Sequence, residues 1–167
     1  MKNPRTVAII TGLTVLAAGI QLLPAFCSGV SLWLSIISAL PVFLITRHRP
    51  LFGPLVYWII GTVVLLVNAF AGIFFLLVNG PLGVSLGIGP LYAKDDRMIA
   101  LVTGLILAIN LGIMELMTDH CLFGSAAAGP VLARFLTIFL ATVGFSGLYL
   151  ALADRTANWV RRSQLKG

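Results

Sequence analysis

Apolar residues in this chain run on in long unbroken stretches. From Leu51 to Ala93 about 43 residues pass without Asp, Glu, Lys, Arg or His, where a membrane-spanning helix needs only about 20. As one helix this run would be about 64 Å long, roughly twice the hydrocarbon thickness, so the backbone must reverse near Asn68-Ala69-Phe70-Ala71-Gly72. The same reading along the chain gives six apolar spans: 6–23, 30–46, 51–68, 72–92, 98–117 and 130–153. The expected architecture is all-α: a polytopic membrane protein whose residues 1–167 form a single six-helix transmembrane domain.

The basic tail from Met1 to Arg5 followed by an apolar run has the outline of a secretory signal. Two features oppose that reading. The run is about 18 residues, longer than the usual signal core, and Phe26 precedes Cys27 where a lipoprotein signal needs a small residue. The segment is therefore read as a retained first span.

Composition agrees with the pattern. Hydrophobic residues make up 59% of the chain and charged ones 10%, and the mean hydropathy is +1.06, which places the chain outside the soluble class. The formal net charge of +6 does not indicate nucleic acid, because membrane proteins concentrate Lys and Arg in cytoplasmic loops for topological reasons. Ten of those residues, Lys2, Arg5, Arg47, Arg49, Lys94, Arg97, Arg155, Arg161, Arg162 and Lys166, fall at one side of the six expected spans. Arg134 falls near the other. The positive-inside rule then predicts both termini in the cytoplasm, and an outer surface made of Gln21 to Gly29, the turn at Asn68, and Thr118 to Gly129. Trp159 reads as an interfacial anchor, and His48 as a solvated loop residue between two arginines.

Small residues at helical spacing allow close helix approach and are expected to mark inward faces. They are Ala8-x-x-x-Gly12 in the first span, Gly104, Ala108 and Gly112 in the fifth, and Ala141, Gly144 and Gly147 in the sixth. The fourth span is the least regular, because Asn79-Gly80-Pro81 sits inside it and Pro81 removes a backbone donor. That irregularity either lines a binding cavity or is a packing kink.

Six short helices, both termini inside, a third and fourth span joined by almost no loop, the small-residue pair in the first span, and the run Gly80-Pro81-Leu82-Gly83-Val84-Ser85-Leu86-Gly87 together resemble the substrate-binding (S) subunit of an energy-coupling factor vitamin transporter. The resemblance covers the whole chain. It implies capture of a vitamin-like molecule or metal ion from outside, under the loop between the first two spans. It also implies a transmembrane coupling subunit docked on Ala8 and Gly12, with Gly in place of the family's second Ala, and a pair of separate ATPase subunits. The chain has no G-x-x-x-x-G-K-[ST] loop to cradle ATP phosphates, so that energy would come from another chain.

Gly83-Val84-Ser85-Leu86-Gly87 matches the G-x-S-x-G of serine hydrolases, but that motif needs a sharp elbow and a nearby His. His48 and His120 both lie in expected loops, so Ser85 is read as bonded back to its own helix and no catalytic residue or cofactor is expected. The Ser31, Ser35 and Ser38 stripe takes the same reading, with a pocket role second.

Substrate-binding candidates come from polar groups expected at the outer half of the bundle: Glu115, Asp119, Arg134, Asn79, His120, and Phe26 in the covering loop. Gly104, Ala108, Gly112, Glu115 and Asp119 share roughly an 80° sector of one helix, so the carboxylates are expected to face inward toward Arg134. Glu115 and Arg134 either bind the polar part of a ligand or pair to staple two helices. Asn68 and Asn110 could serve a ligand or join helices. Cys27 and Cys121 are free thiols, a disulfide, or metal ligands with His120 and Asp119. A self-contained homo-oligomeric channel or carrier, or a structural membrane protein, is the alternative to the transporter subunit.

Overall fold

The computed structural model describes residues 4–26, 32–117 and 131–164. These are 95% helical, with no strand among them. The elements are α1 (Pro4–Phe26), a 3-10 segment (Leu32–Ser38), α2 (Ala39–His48), α3 (Phe52–Val67), α4 (Ala69–Phe74), a π-turn (Phe75–Asn79), α5 (Gly80–Tyr92), α6 (Asp96–Met117) and α7 (Val131–Gln164). The chain divides into two compact units, residues 1–88 and 89–167.

Each expected apolar span is largely helical where it is described, and among the described residues four helices are long and apolar enough to cross a bilayer: Thr6–Phe26, Ala69–Tyr92, Asp96–Met117 and Ala133–Thr156. Ser35–His48 and Phe52–Val67 are shorter apolar helices. These four are compatible with a multi-pass membrane protein.

In the first unit, the expected reversal is tighter than a five-residue turn. Only Asn68 leaves the helix, in extended conformation (φ −147°, ψ 110°), and its Oδ1 caps α4 by accepting from the Ala71 N–H at 2.9 Å. Gly72 makes the hairpin possible: a Cβ there would lie 2.4 Å from the Leu65 Cα, so any side chain would push α3 and α4 apart. Ala17 of α1, Val42 and Ile45 of α2, Val56, Ile60 and Val64 of α3, Ala71 of α4 and Phe75 of the π-turn form one buried cluster. Further along, Gly83 and Gly87 of α5 let the backbone of α2 approach, with the Ala39 and Phe43 carbonyls 2.6 Å and 3.1 Å from where their Cβ atoms would stand. The Gly/Pro-rich run is thus a packing surface.

Pro81 produces a π-turn inside a continuous helix. At the end of that turn the Gly80 N–H donates to the Phe75 carbonyl, so the next carbonyl, Leu76, is offered to residue 81, a proline without N–H. Tyr57 of α3 fills the gap, its hydroxyl donating to the Leu76 carbonyl at 2.9 Å. The ring reaches there across Gly80, where a Cβ would lie 2.2 Å from Tyr57 Cδ2. Tyr57→Phe should orphan this half-buried carbonyl and cost about 1–3 kcal/mol. A lower thermal midpoint in detergent is expected; an unchanged midpoint would mean that the hydroxyl contributes nothing.

The second unit is built on α6 and α7. Gly104 lies against Val143 and Gly147 against Ala100, so the two helices run antiparallel. Gly104 admits the Val143 backbone, whose Cα would be 2.7 Å from an added Cβ, and the Thr142 hydroxyl donates to the Gly104 carbonyl at 2.8 Å. Buried positions on α6 follow helical spacing through Ile99, Ala100, Thr103, Gly104, Leu107, Ala108, Met114 and Glu115.

The expected inward face of α7 is corrected here. Ala141 and Gly144 are exposed, and nothing lies within 4 Å of a Cβ at Gly144, whereas Thr142, Ser146, Leu150 and Ala153 are buried. The Thr142 bond and the Val143 backbone against Gly104 set the rotation of α7 and turn Ala141 and Gly144 away. Gly112, expected inward on α6, is half-buried with open space at its Cβ position. Ala8 and Gly12 on α1 are likewise exposed, with nothing within 4 Å of a Cβ at Gly12.

Candidate functional site

The densest polar arrangement described in the first unit surrounds Asn79, the last residue of the π-turn. Gln21 of α1, Ser35 and Ser38 of the 3-10 segment, and Asn79 are all 0% exposed. The Asn79 Nδ2 donates to Gln21 Oε1 at 2.7 Å and to the Ser35 carbonyl at 3.0 Å, with Ser35 Oγ at 3.2 Å and Ser38 Oγ at 3.3 Å. Ser38 donates its hydroxyl to the same Gln21 Oε1 at 2.9 Å, and Gln21 Nε2 donates to the Ala71 carbonyl at 2.9 Å. Three chain segments are tied together through uncharged groups alone. The Asn79 Oδ1 is enclosed and has no hydrogen-bond partner among the described residues.

Local structure explains the convergence. The 3-10 winding of Leu32–Ser38 brings a carbonyl and two hydroxyls toward α1, and the π-turn carries Asn79 onto the same point. Such single π-turns inside α-helices occur frequently at functional sites. Asn79 was legible in the sequence as a polar residue in a broken span. Gln21 was expected at the outer surface, at the end of the first span; α1 continues to Phe26 and Gln21 is buried within the cluster. Ser35 and Ser38 belong to the serine stripe whose pocket role stood second to back-bonding.

Among the other candidates, Glu115 is buried on α6, 7% exposed, with both carboxylate oxygens enclosed. Arg134 is half-buried on α7. Carrying the antiparallel pairing along, it stands level with Ile113, two residues or about 3 Å from the level of Glu115. Its Nε is enclosed and donates no hydrogen bond to an acceptor among the described residues. Both residues belong to the second unit, and Asn79 belongs to the first.

Phe26 ends α1 and is 74% exposed. Asp119, His120, Cys27, Cys121 and Ser31 lie outside the described residues, as does the Trp159 side chain. No group of three His, Cys, Asp or Glu side chains able to hold a metal occurs among the described residues. The Ser85 hydroxyl donates to the Pro81 carbonyl of its own helix, the back-bonding expected of a serine in an apolar helix. Asn68 serves as a helix cap. Comparison with protein-family models, curated proteins and solved structures finds no match to this chain.

Proposed function

We propose that this protein is the membrane-embedded, substrate-capturing subunit of a multi-subunit importer of the energy-coupling factor type, residing in a cell membrane. The observation that carries the reading is the fully buried uncharged cluster at the π-turn of an apolar helix long enough to cross a bilayer. Irregular backbone at membrane depth is tolerated where protein or a cavity surrounds it, and in transporters such breaks serve binding. Polar groups held in an apolar helical protein are costly and are retained for function.

In this reading the chain crosses six times with both termini in the cytoplasm. The two short helical stretches fit that count. Leu32–His48 combines seven 3-10 residues with ten α-helical ones and reaches roughly 29 Å, close to the hydrocarbon thickness. Phe52–Val67, at about 24 Å, spans by local thinning of the bilayer. Glu115, Arg134 and, beyond the described residues, Asp119 and His120 receive the charged part of a small-molecule substrate.

The exposed Ala8 and Gly12 offer a close-approach surface on α1 for a transmembrane coupling subunit, which two ATPase subunits drive. The protein itself is not an enzyme. A homo-oligomeric carrier is the competing reading, favoured by Ala141 and Gly144, which face outward on α7. Capture of a substrate is tested by denaturing the protein purified from membranes in mild detergent and identifying released small molecules by mass spectrometry. A single stoichiometric compound is expected, and its loss in Arg134→Gln supports the site. Repeated recovery of lipid alone opposes it.

A further inference from the structure

The cluster around Asn79 has more acceptors than its donors can serve. The amide nitrogen carries two hydrogens, yet four oxygens converge on it at 2.7–3.3 Å: Gln21 Oε1, the Ser35 carbonyl, Ser35 Oγ and Ser38 Oγ. Gln21 Oε1 already accepts from Ser38. The remaining end of the same amide, Asn79 Oδ1, is enclosed without a donor among the described residues. An enclosed carbonyl-type oxygen left unpaired is costly, so the arrangement is short of donors or positive charge rather than of acceptors.

We propose that Gln21, Ser35, Ser38 and Asn79 form a binding site for a partly dehydrated monovalent alkali cation, reached when the Asn79 amide turns over. In the structure the amide nitrogen sits among the oxygens as the cation would, a partial positive charge in an oxygen cage. Turning the amide about its Cβ–Cγ bond and withdrawing it moves the nitrogen out and presents Oδ1. The cage then offers five oxygens: two side-chain amide oxygens, two hydroxyls and one main-chain carbonyl. Neutral oxygen cages of this kind, with carbonyls freed by irregular helix, replace the hydration shells of sodium and potassium in membrane proteins.

The chemistry selects against other ligands. The set contains no carboxylate, thiolate or imidazole, so it cannot offset the second charge of a divalent ion or meet a transition metal's preference for nitrogen or sulfur. It has too few free donors for an anion. Because the ligands come from α1, the 3-10 segment and the π-turn, a bound cation would cross-link three parts of the first unit. It would stabilise that unit in proportion to its occupancy.

The experiment needs neither a partner nor the transported compound, so its failure leaves the importer reading standing. Thermal unfolding of the detergent-purified protein is followed in sodium, potassium and choline chloride at equal ionic strength, together with equilibrium binding of radioactive sodium and rubidium. A saturable rise in midpoint in at least one alkali salt over choline, matched by stoichiometric ion binding, is expected. Ser38→Ala, which removes one ligand without adding volume, should weaken apparent cation affinity by about tenfold or more, the scale on which even outer-shell partners of a metal act. Asn79→Asp keeps the oxygen count, adds a charge and should retain or tighten binding. Equal midpoints in all three salts, or an ion response that Ser38→Ala leaves intact, would overturn the assignment. The cluster would then be a helix staple, with or without a buried water.

Discussion

Gly12→Leu is expected to weaken assembly with the proposed coupling subunit strongly while leaving the isolated protein folded and able to bind its ligand. The structure makes this substitution a clean probe. No described residue lies within 4 Å of a Cβ at Gly12, Ala8 one turn earlier is exposed, and only 11% of the residues in the most apolar window of α1 are buried. The Cβ of a side chain there meets no described residue. Helices in lipid associate through close backbone approach at small residues, which a leucine holds apart, so complex recovery should fall by about tenfold or more, at least about 1.4 kcal/mol. Affinity purification of the wild-type and variant chains, with a thermal midpoint for each, makes the comparison. Normal assembly by a folded Gly12→Leu protein would show that the partner sits elsewhere. A collapsed midpoint would show instead that the α1 face is internal to a larger self-assembly.

Glu115→Gln and Arg134→Gln carry the second large effect. A carboxylate 7% exposed on an apolar helix is retained against a desolvation penalty of several kcal/mol. If it serves the ligand, the isosteric glutamine should leave the thermal midpoint near wild type. It should lower affinity by about tenfold or more, because hydrogen bonds to charged groups contribute about 1.5–3 kcal/mol. If Glu115 instead staples the helices, the midpoint falls and affinity is unchanged in whatever protein stays folded. Arg134→Gln follows the same logic, its enclosed Nε being the group without an acceptor among the described residues. Unchanged affinity in both variants would remove Glu115 and Arg134 from the site.

How far the chain could be read in advance varies by element. The reversal at Asn68 was legible because no single helix can hold 43 uncharged residues in a bilayer, and Asn before an apolar run is a helix-cap signal. Irregularity at Asn79-Gly80-Pro81 was legible from the proline. Its form was not, since the donor that takes the place of the missing Pro81 N–H comes from Tyr57, on a different helix. Gln21 was read as part of the outer surface at the end of the first span, whereas α1 extends to Phe26 and Gln21 is buried. Small-residue spacing found Gly104 and Ala108 correctly and failed at Ala141 and Gly144. Small residues suit any close contact, inside the chain or outside it, and the face that α7 turns inward carries Thr142, Ser146, Leu150 and Ala153 instead. Asn79 was recognised, but its partners Gln21 and Ser38 are distant in sequence and gave no local pattern.

In the proposed function this chain works as one subunit of a larger importer. Native mass spectrometry of the tagged protein, extracted from its own membranes in mild detergent, tests it most directly. The predicted result is one copy of this chain with one larger membrane subunit and two ATPase subunits. A symmetric homo-oligomer that transports solute in liposomes without any other protein would contradict it.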